Sequence, residues 1–240
     1  MKKLLVILAG FLLIGAEQGI AQTQGDLTVE QLRDYVSDQG VYQTRISRNV
    51  RGTPYLNADW LRGHLTLADG QQSQPIMMRL NTYEQEVEFV RDEEVLVIPP
   101  SSLSGLVIYN NFGNITFENG YRSEEYEITE DYLLRVLHDN RTKLLVEHVT
   151  VLQKDMASYG TASRQDEYID NRNIFFVSAD GSWEEIRLRK RDILNQLDSH
   201  RSEIEEFVKQ NNLDYSEEQE VVRILQHYDS LLQNESGSGN

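Results

Sequence analysis

The spacing of apolar residues changes three times along this chain. Residues 4–16 are apolar apart from two glycines, residues 63–188 alternate apolar and polar positions in short runs, and from Ile193 onward apolar residues recur at steps of three and four. Alternation sends every second side chain to one face of a strand, whereas steps of three and four draw one stripe along a helix. The pattern predicts a leader, a β-rich body and a helical end.

Within the body, residues 65–67 run into Asp69-Gly70, and residues 76–80, 87–90 and 95–98 follow as short strands. Pro99-Pro100 stops the last of these, because proline brings no N–H to a ladder. Residues 106–109 and 115–117 flank the turn Asn110-Asn111-Phe112-Gly113, and residues 132–137 and 144–152 flank Asp139-Asn140. Turns this short join antiparallel neighbours, since parallel strands need long crossovers. Residues 153–173 are polar and poor in branched apolar side chains, and read as a long mobile loop before strands at 175–177 and 183–188.

Thr28-Val29-Glu30-Gln31 has the form of a capping box, in which threonine and glutamine each satisfy the other's backbone N–H. It opens a short helix with Leu32, Tyr35 and Val36 on one face, and Gly40 closes it. Near the C-terminus, Ile193, Leu194, Leu197, Ile204, Phe207 and Val208 form one stripe, which Asn211-Asn212 stops. Ser216-Glu217-Glu218-Gln219 repeats the capping pattern ahead of a second stripe, Val221, Val222, Leu225, Tyr228 and Leu232. Two such helices with a short link make an antiparallel hairpin.

The expected fold class is therefore α+β: an antiparallel β-sheet, as a sandwich or open barrel, with a short N-terminal helix and a C-terminal αα-hairpin. Residues 22–189 form the β-rich domain with its N-terminal helix, residues 190–233 a helical hairpin packed on the same domain, and residues 234–240 a disordered tail.

The leader adds a location. Met1-Lys2-Lys3, the apolar run and the small residues Gly19 and Ala21 ahead of Gln22 have the layout of a secretory signal peptide over residues 1–21. The run falls short of the roughly 20 residues that span a bilayer, so a retained transmembrane segment is not expected. A periplasmic or secreted protein is. The chain has no cysteine, which excludes disulfides, a cysteine nucleophile, a thiolate metal site and the acylated cysteine of a lipoprotein.

Charge narrows the partners. With 23 Lys+Arg against 39 Asp+Glu, the net charge is −16. Such a chain repels phosphate backbones and anionic lipid heads, so nucleic acid is not an expected partner.

Candidate chemistry is sparse. The five histidines include no i, i+4 helical pair and no H-E-x-x-H motif. His138 and His148 lie too far apart across their turn to share an ion, and His200 and His227 sit at different distances from their apolar stripes. The acidic clusters lack the spacing of a calcium loop, and the serines at 101–104 lack a G-x-S-x-G elbow. No catalytic residue, metal ligand or cofactor is assigned.

Two segments stand out as ligand-binding candidates. Tyr55 and Trp60 lie in the compact aromatic stretch around Gly52-Thr53-Pro54-Tyr55-Leu56-Asn57, and Arg79 and Tyr83 lie in a run that alternates charged and apolar positions through Phe89. The plainer readings, which we prefer, are a loop folded over one sheet end and a hairpin with one solvated face.

These two segments and the C-terminal run at residues 186–232 resemble a family of exported proteins of Bacteroidota-type Gram-negative bacteria. In that family a G-[ST]-P-Y-L-N-like block precedes an R-[YL]-N-x-Y…E-[FV] hairpin and a helical end. Here Lys209-Gln210-Asn211-Asn212-Leu213 and His227-Tyr228-Asp229 stand in that end, and its usual paired tyrosines and asparagine are only partly present. The resemblance implies export and an outline of the fold; the family has no assigned activity to carry over. The functional expectation is a non-enzymatic envelope protein that binds a protein or small molecule. The alternatives are a lipid or lipoprotein carrier with an open-barrel cavity and a secreted hydrolase.

Overall fold

A computed structural model describes residues 26–37, 50–154 and 166–237. The leader, Gly40 and residues 155–165 lie outside the described residues. The architecture is α+β: eleven strands in one open sheet, with a short N-terminal helix and helices at the C-terminal end.

Helix α1 (Val29–Ser37) starts as its sequence requires. The Thr28 N–H donates to Gln31 Oε1 at 2.8 Å, and the Gln31 N–H donates to Thr28 Oγ1 at 3.3 Å. The strands follow as β1 (Val50–Arg51), β2 (Leu61–Leu67), β3 (Ile76–Asn81), β4 (Glu86–Arg91), β5 (Glu94–Ile98), β6 (Leu103–Ile108), β7 (Ile115–Glu118), β8 (Leu134–Asp139), β9 (Lys143–Gln153), β10 (Asp166–Val177) and β11 (Trp183–Ile186). The spatial order is β1-β10-β9-β8-β7-β6-β2-β3-β4-β5, with β11 also on β10.

Three expectations are corrected here. The sheet is a single open one as expected of one alternative, but it is mixed and not wholly antiparallel, because β1 runs parallel to β10. The stretch expected as a loop through residue 173 instead forms β10 from Asp166, paired with β9 from Glu167↔Gln153 to Val177↔Lys143. Its polar side chains carry no strand pattern, so pairing with a long neighbour decides the conformation. Finally, the first C-terminal stripe is two helices, α2 (Lys190–Gln196) and α3 (Arg201–Asn211), separated by a 3₁₀ turn at Asp198–His200.

The sheet curls. β9 and β3 stand far apart in the strand order, yet the Thr150 N–H donates to Thr82 O at 3.0 Å and the two threonine hydroxyls lie 2.7 Å apart. The ladder stays open, and the chain following β1 crosses the gap. Arg51 on the edge of β10 holds Glu167, while Leu56 N–H donates to Leu80 O at 3.0 Å on the edge of β3. Gly52 lets the chain leave β10: its φ is +80°, and a Cβ there would sit 2.8 Å from Tyr168 O.

The concave face holds two cores. Leu65, Met78, Phe89, Ile98, Leu106 and Phe117 pack under Leu32 and Val36 of α1, none more than 2% exposed. Further along the same face, Leu144, Val146, Ile174 and Phe176 are covered by Ile193, Leu197, Ile204, Leu225 and neighbours from α2, α3 and α4 (Glu218–Gly237). Asn212 ends α3 in the left-handed conformation, φ 51°. The capping box expected at Ser216 does not form: its hydroxyl donates to Asp214, whose own N–H is held by Glu220. Helix α4 also continues to Gly237, into the stretch expected as a tail.

The outer face is covered at both ends and open between. Tyr126, Tyr132 and Trp183 pack with Ile128 over Leu134, Leu145 and Phe175 at one end. The crossing segment covers β3 and β4 at the other. The strip formed by β2, β6 and β7 lies between them.

Candidate functional site

Three of the four ligand-binding candidates meet on the outer face, and they satisfy one another. In the register of the β3–β4 hairpin, Arg79 stands opposite Glu88. Its Nε donates to Glu88 Oε2 at 2.8 Å and its Nη2 to Tyr55 Oη at 2.8 Å, while Tyr55 donates to Glu88 Oε1 at 3.1 Å. The guanidinium carbon lies 3.7 Å from the Tyr55 ring centroid and 4.1 Å from that of Trp60. Arg79 is thus sandwiched between two rings, with cation–π attraction added to its ion pair.

The expected solvated face of this hairpin is corrected by that arrangement. The Arg79 and Glu88 side chains are 12% and 0% exposed, because the segment carrying Tyr55 and Trp60 folds over them. Burial and the neighbouring Glu88 carboxylate push the Tyr55 hydroxyl up to about 12. Tyr83, the fourth candidate, stands apart at 38% exposure and packs edge-on against Tyr168, with ring centroids 5.3 Å apart.

The histidines also find separate settings. His138 Nε2 lies 2.8 Å from Asp229 Oδ2, and Asp229 Oδ1 accepts the Thr142 N–H at 3.1 Å and its hydroxyl at 2.9 Å. This buried set ties α4 to the β8–β9 turn. His148 lies on the concave face between the two cores, 6.1 Å from the Phe117 ring, and neither ring nitrogen has a hydrogen-bond partner among the described residues. Burial, then the positive charges of Arg135 and Arg172, lower it to about 4. Those arginines are occupied: Arg135 donates to Glu218 at 2.9 Å, and Arg172 reaches the same carboxylate. His227 stacks on Phe207 with centroids 4.0 Å apart, while His200 meets Tyr228. Among the described residues, no group of three or more histidine and acidic side chains converges as a metal site.

The open strip of the outer face is a further candidate, which the sequence reading did not single out. Two cross-strand rows lie on it: His64, Val107 and Thr116, then Thr66, Gly105 and Glu118. The centre of the second row has no side chain, and a trough of about 360 Å³ lies over it, lined also by Gln72 and Ser104. Gly105 is required there, since a Cβ would sit 2.5 Å from Phe117 O. His64 Nδ1 and Tyr109 Oη lie 2.9 Å apart at one end. Beyond Tyr109, the hairpin tip presents Phe112 at 89% exposure, and Met77 on β3 is 43% exposed.

No family model, curated protein or solved structure matches this chain. No helix among the described residues is long and apolar enough to cross a membrane.

Proposed function

We propose that the protein is an exported envelope protein that binds a partner through the open strip of its outer sheet face, without catalysing a reaction on it. One observation carries this reading: Glu88, His138 and Asp229 are held by internal contacts, while the strip between the two covered ends and its margin on β3 leave Tyr109, Phe112 and Met77 in solvent. Glu88 and Asp229, the most buried carboxylates, each hold two partners. Exposed aromatic and methionine side chains in one neighbourhood are typical of contact surfaces.

The carrier alternative needs empty apolar volume behind the sheet. The concave face is instead occupied by Leu65, Met78, Phe89 and Phe117, each 0% exposed, which favours binding on the outer face. The leader at residues 1–21 and the resemblance to exported proteins support the location.

Site-specific photocross-linking in the exporting cell tests the reading. A photolabile side chain at Phe112 or Met77 should give adducts that the same probe at Glu206 or Arg223, on the helical layer, does not. Equal labelling from both faces, or none from either, overturns it. N-terminal sequencing of the mature protein should begin at Gln22; an intact Met1 overturns the proposed export.

A further inference from the structure

The trough over Gly105 has a lining that selects among ligands. The side chains of Thr66, Gln72 and Thr116 hold no hydrogen bond to any described residue, although each lines the trough. Glu118 accepts one hydrogen bond, from Tyr121 at 3.2 Å, and His64 is joined to Tyr109. Two hydroxyls and a carboxamide can each donate and accept, and one carboxylate adds acceptor capacity. Val107 contributes the apolar part. Because the threonines stand on β2 and β7, on either side of β6, their positions are fixed before any ligand arrives, which lowers the ordering cost of binding.

We propose that this trough binds a neutral saccharide. The inference rests on the reading of the open strip as the binding face, and adds the chemical class of the ligand. Sugar hydroxyls both donate and accept, as the threonine and glutamine groups of the trough do, and the C–H face of a sugar ring suits the Val107 side. Glu118 and the net charge of −16 oppose a phosphate or carboxylate ligand. An acyl chain would leave the threonine hydroxyls and the Gln72 amide without partners. The trough's volume of about 360 Å³ lies within the about 300–1,000 Å³ of small-molecule sites. The missing Cβ at Gly105 lets a ring approach the backbone.

The test is an NMR titration of the purified protein with maltose, cellobiose and N,N′-diacetylchitobiose, following backbone amides. At least one sugar should give saturable shifts, in the millimolar range or tighter, centred on Thr66, Gly105, Thr116 and Glu118. Thr66→Val and Thr116→Val keep side-chain shape, and each should weaken that sugar about tenfold with the fold unchanged. Shifts from none of the three sugars, shifts centred elsewhere, or affinity unaltered in both valine variants overturn the proposal. So does inorganic phosphate moving the same amides while the sugars do not. Cross-linking from Phe112 without sugar binding removes the saccharide and leaves the binding face standing; loss of face-specific cross-linking with sugar binding intact does the reverse.

Discussion

Two polar clusters share the outer face of this sheet, and they differ in one respect. Around Arg79 the guanidinium, the Glu88 carboxylate and the Tyr55 hydroxyl bond one another, and two aromatic rings close over the charge. Around Gly105, Thr66 and Thr116 are held by their strands and Gln72 by its bridge to Thr66, but their side chains bond to nothing described. The first cluster contains the residues whose types looked most like a binding site. The second contains ordinary hydroxyls on ordinary strands. Residue type points to the first cluster, whereas unspent hydrogen-bonding capacity, which a ligand needs, points to the second.

The comparison can be broken most forcefully at Glu88. Glu88→Ala leaves the Arg79 charge buried without its carboxylate and should cost about 3–5 kcal/mol of stability in urea denaturation. The double variant Arg79→Met, Glu88→Leu should recover much of that loss, because it removes both charges from the interior. If Glu88→Ala is tolerated without loss, the Arg79 cluster is not structural, and its separation from the trough fails.

Gly105→Ala attacks the other cluster. Its Cβ would meet the Phe117 carbonyl at 2.5 Å, so the two strands must part. A loss of about 1–3 kcal/mol is expected, together with perturbed amides along β6 and β7.

His148 gives a smaller and pH-dependent effect. Its folded value of about 4 lies below its ordinary value of 6.5, so between those values the unfolded chain takes up a proton that the folded protein does not. Stability contributed by neutral His148 is therefore present above about pH 6.5 and lost as the pH falls toward 4. His148→Phe should leave stability near neutral pH little changed and flatten the stability–pH curve within that window. Parallel curves for the two proteins would show that His148 titrates as it does in water. The smallest effect belongs to Phe112→Ser, which should stay within about 0.5 kcal/mol of the parent in stability while weakening face-specific cross-linking.

Legibility in the sequence follows the range of the interaction. The Thr28–Gln31 box was readable because both partners lie within one turn. The opposition of Arg79 and Glu88 was readable as alternation, but their burial was not, since the cover comes from Tyr55 and Trp60 outside the hairpin. The strand from Asp166 was hidden by its polar residues; its conformation comes from β9, and Arg172 is held by Glu218 on a distant helix. His138 meets Asp229 across 91 positions, a pairing no local pattern encodes. The trough draws on three strands, and its one local signal was a glycine inside a strand, which marks either a bend or a close backbone approach.

The crossing from β1 to β3 also bears on how the chain acquires its shape. Arg51 and Glu167 are 116 positions apart, and the same short segment must grip β10 at one end and β3 at the other. Each grip needs a strand from a different hairpin, so the segment spans two contacts of very different sequence separation, and closing the longer loop carries the larger entropic cost. An opening of that clasp would uncover the Arg79–Glu88 pair and lift Leu56 from the first core, while the second core, to which no residue of the segment belongs, would keep its packing.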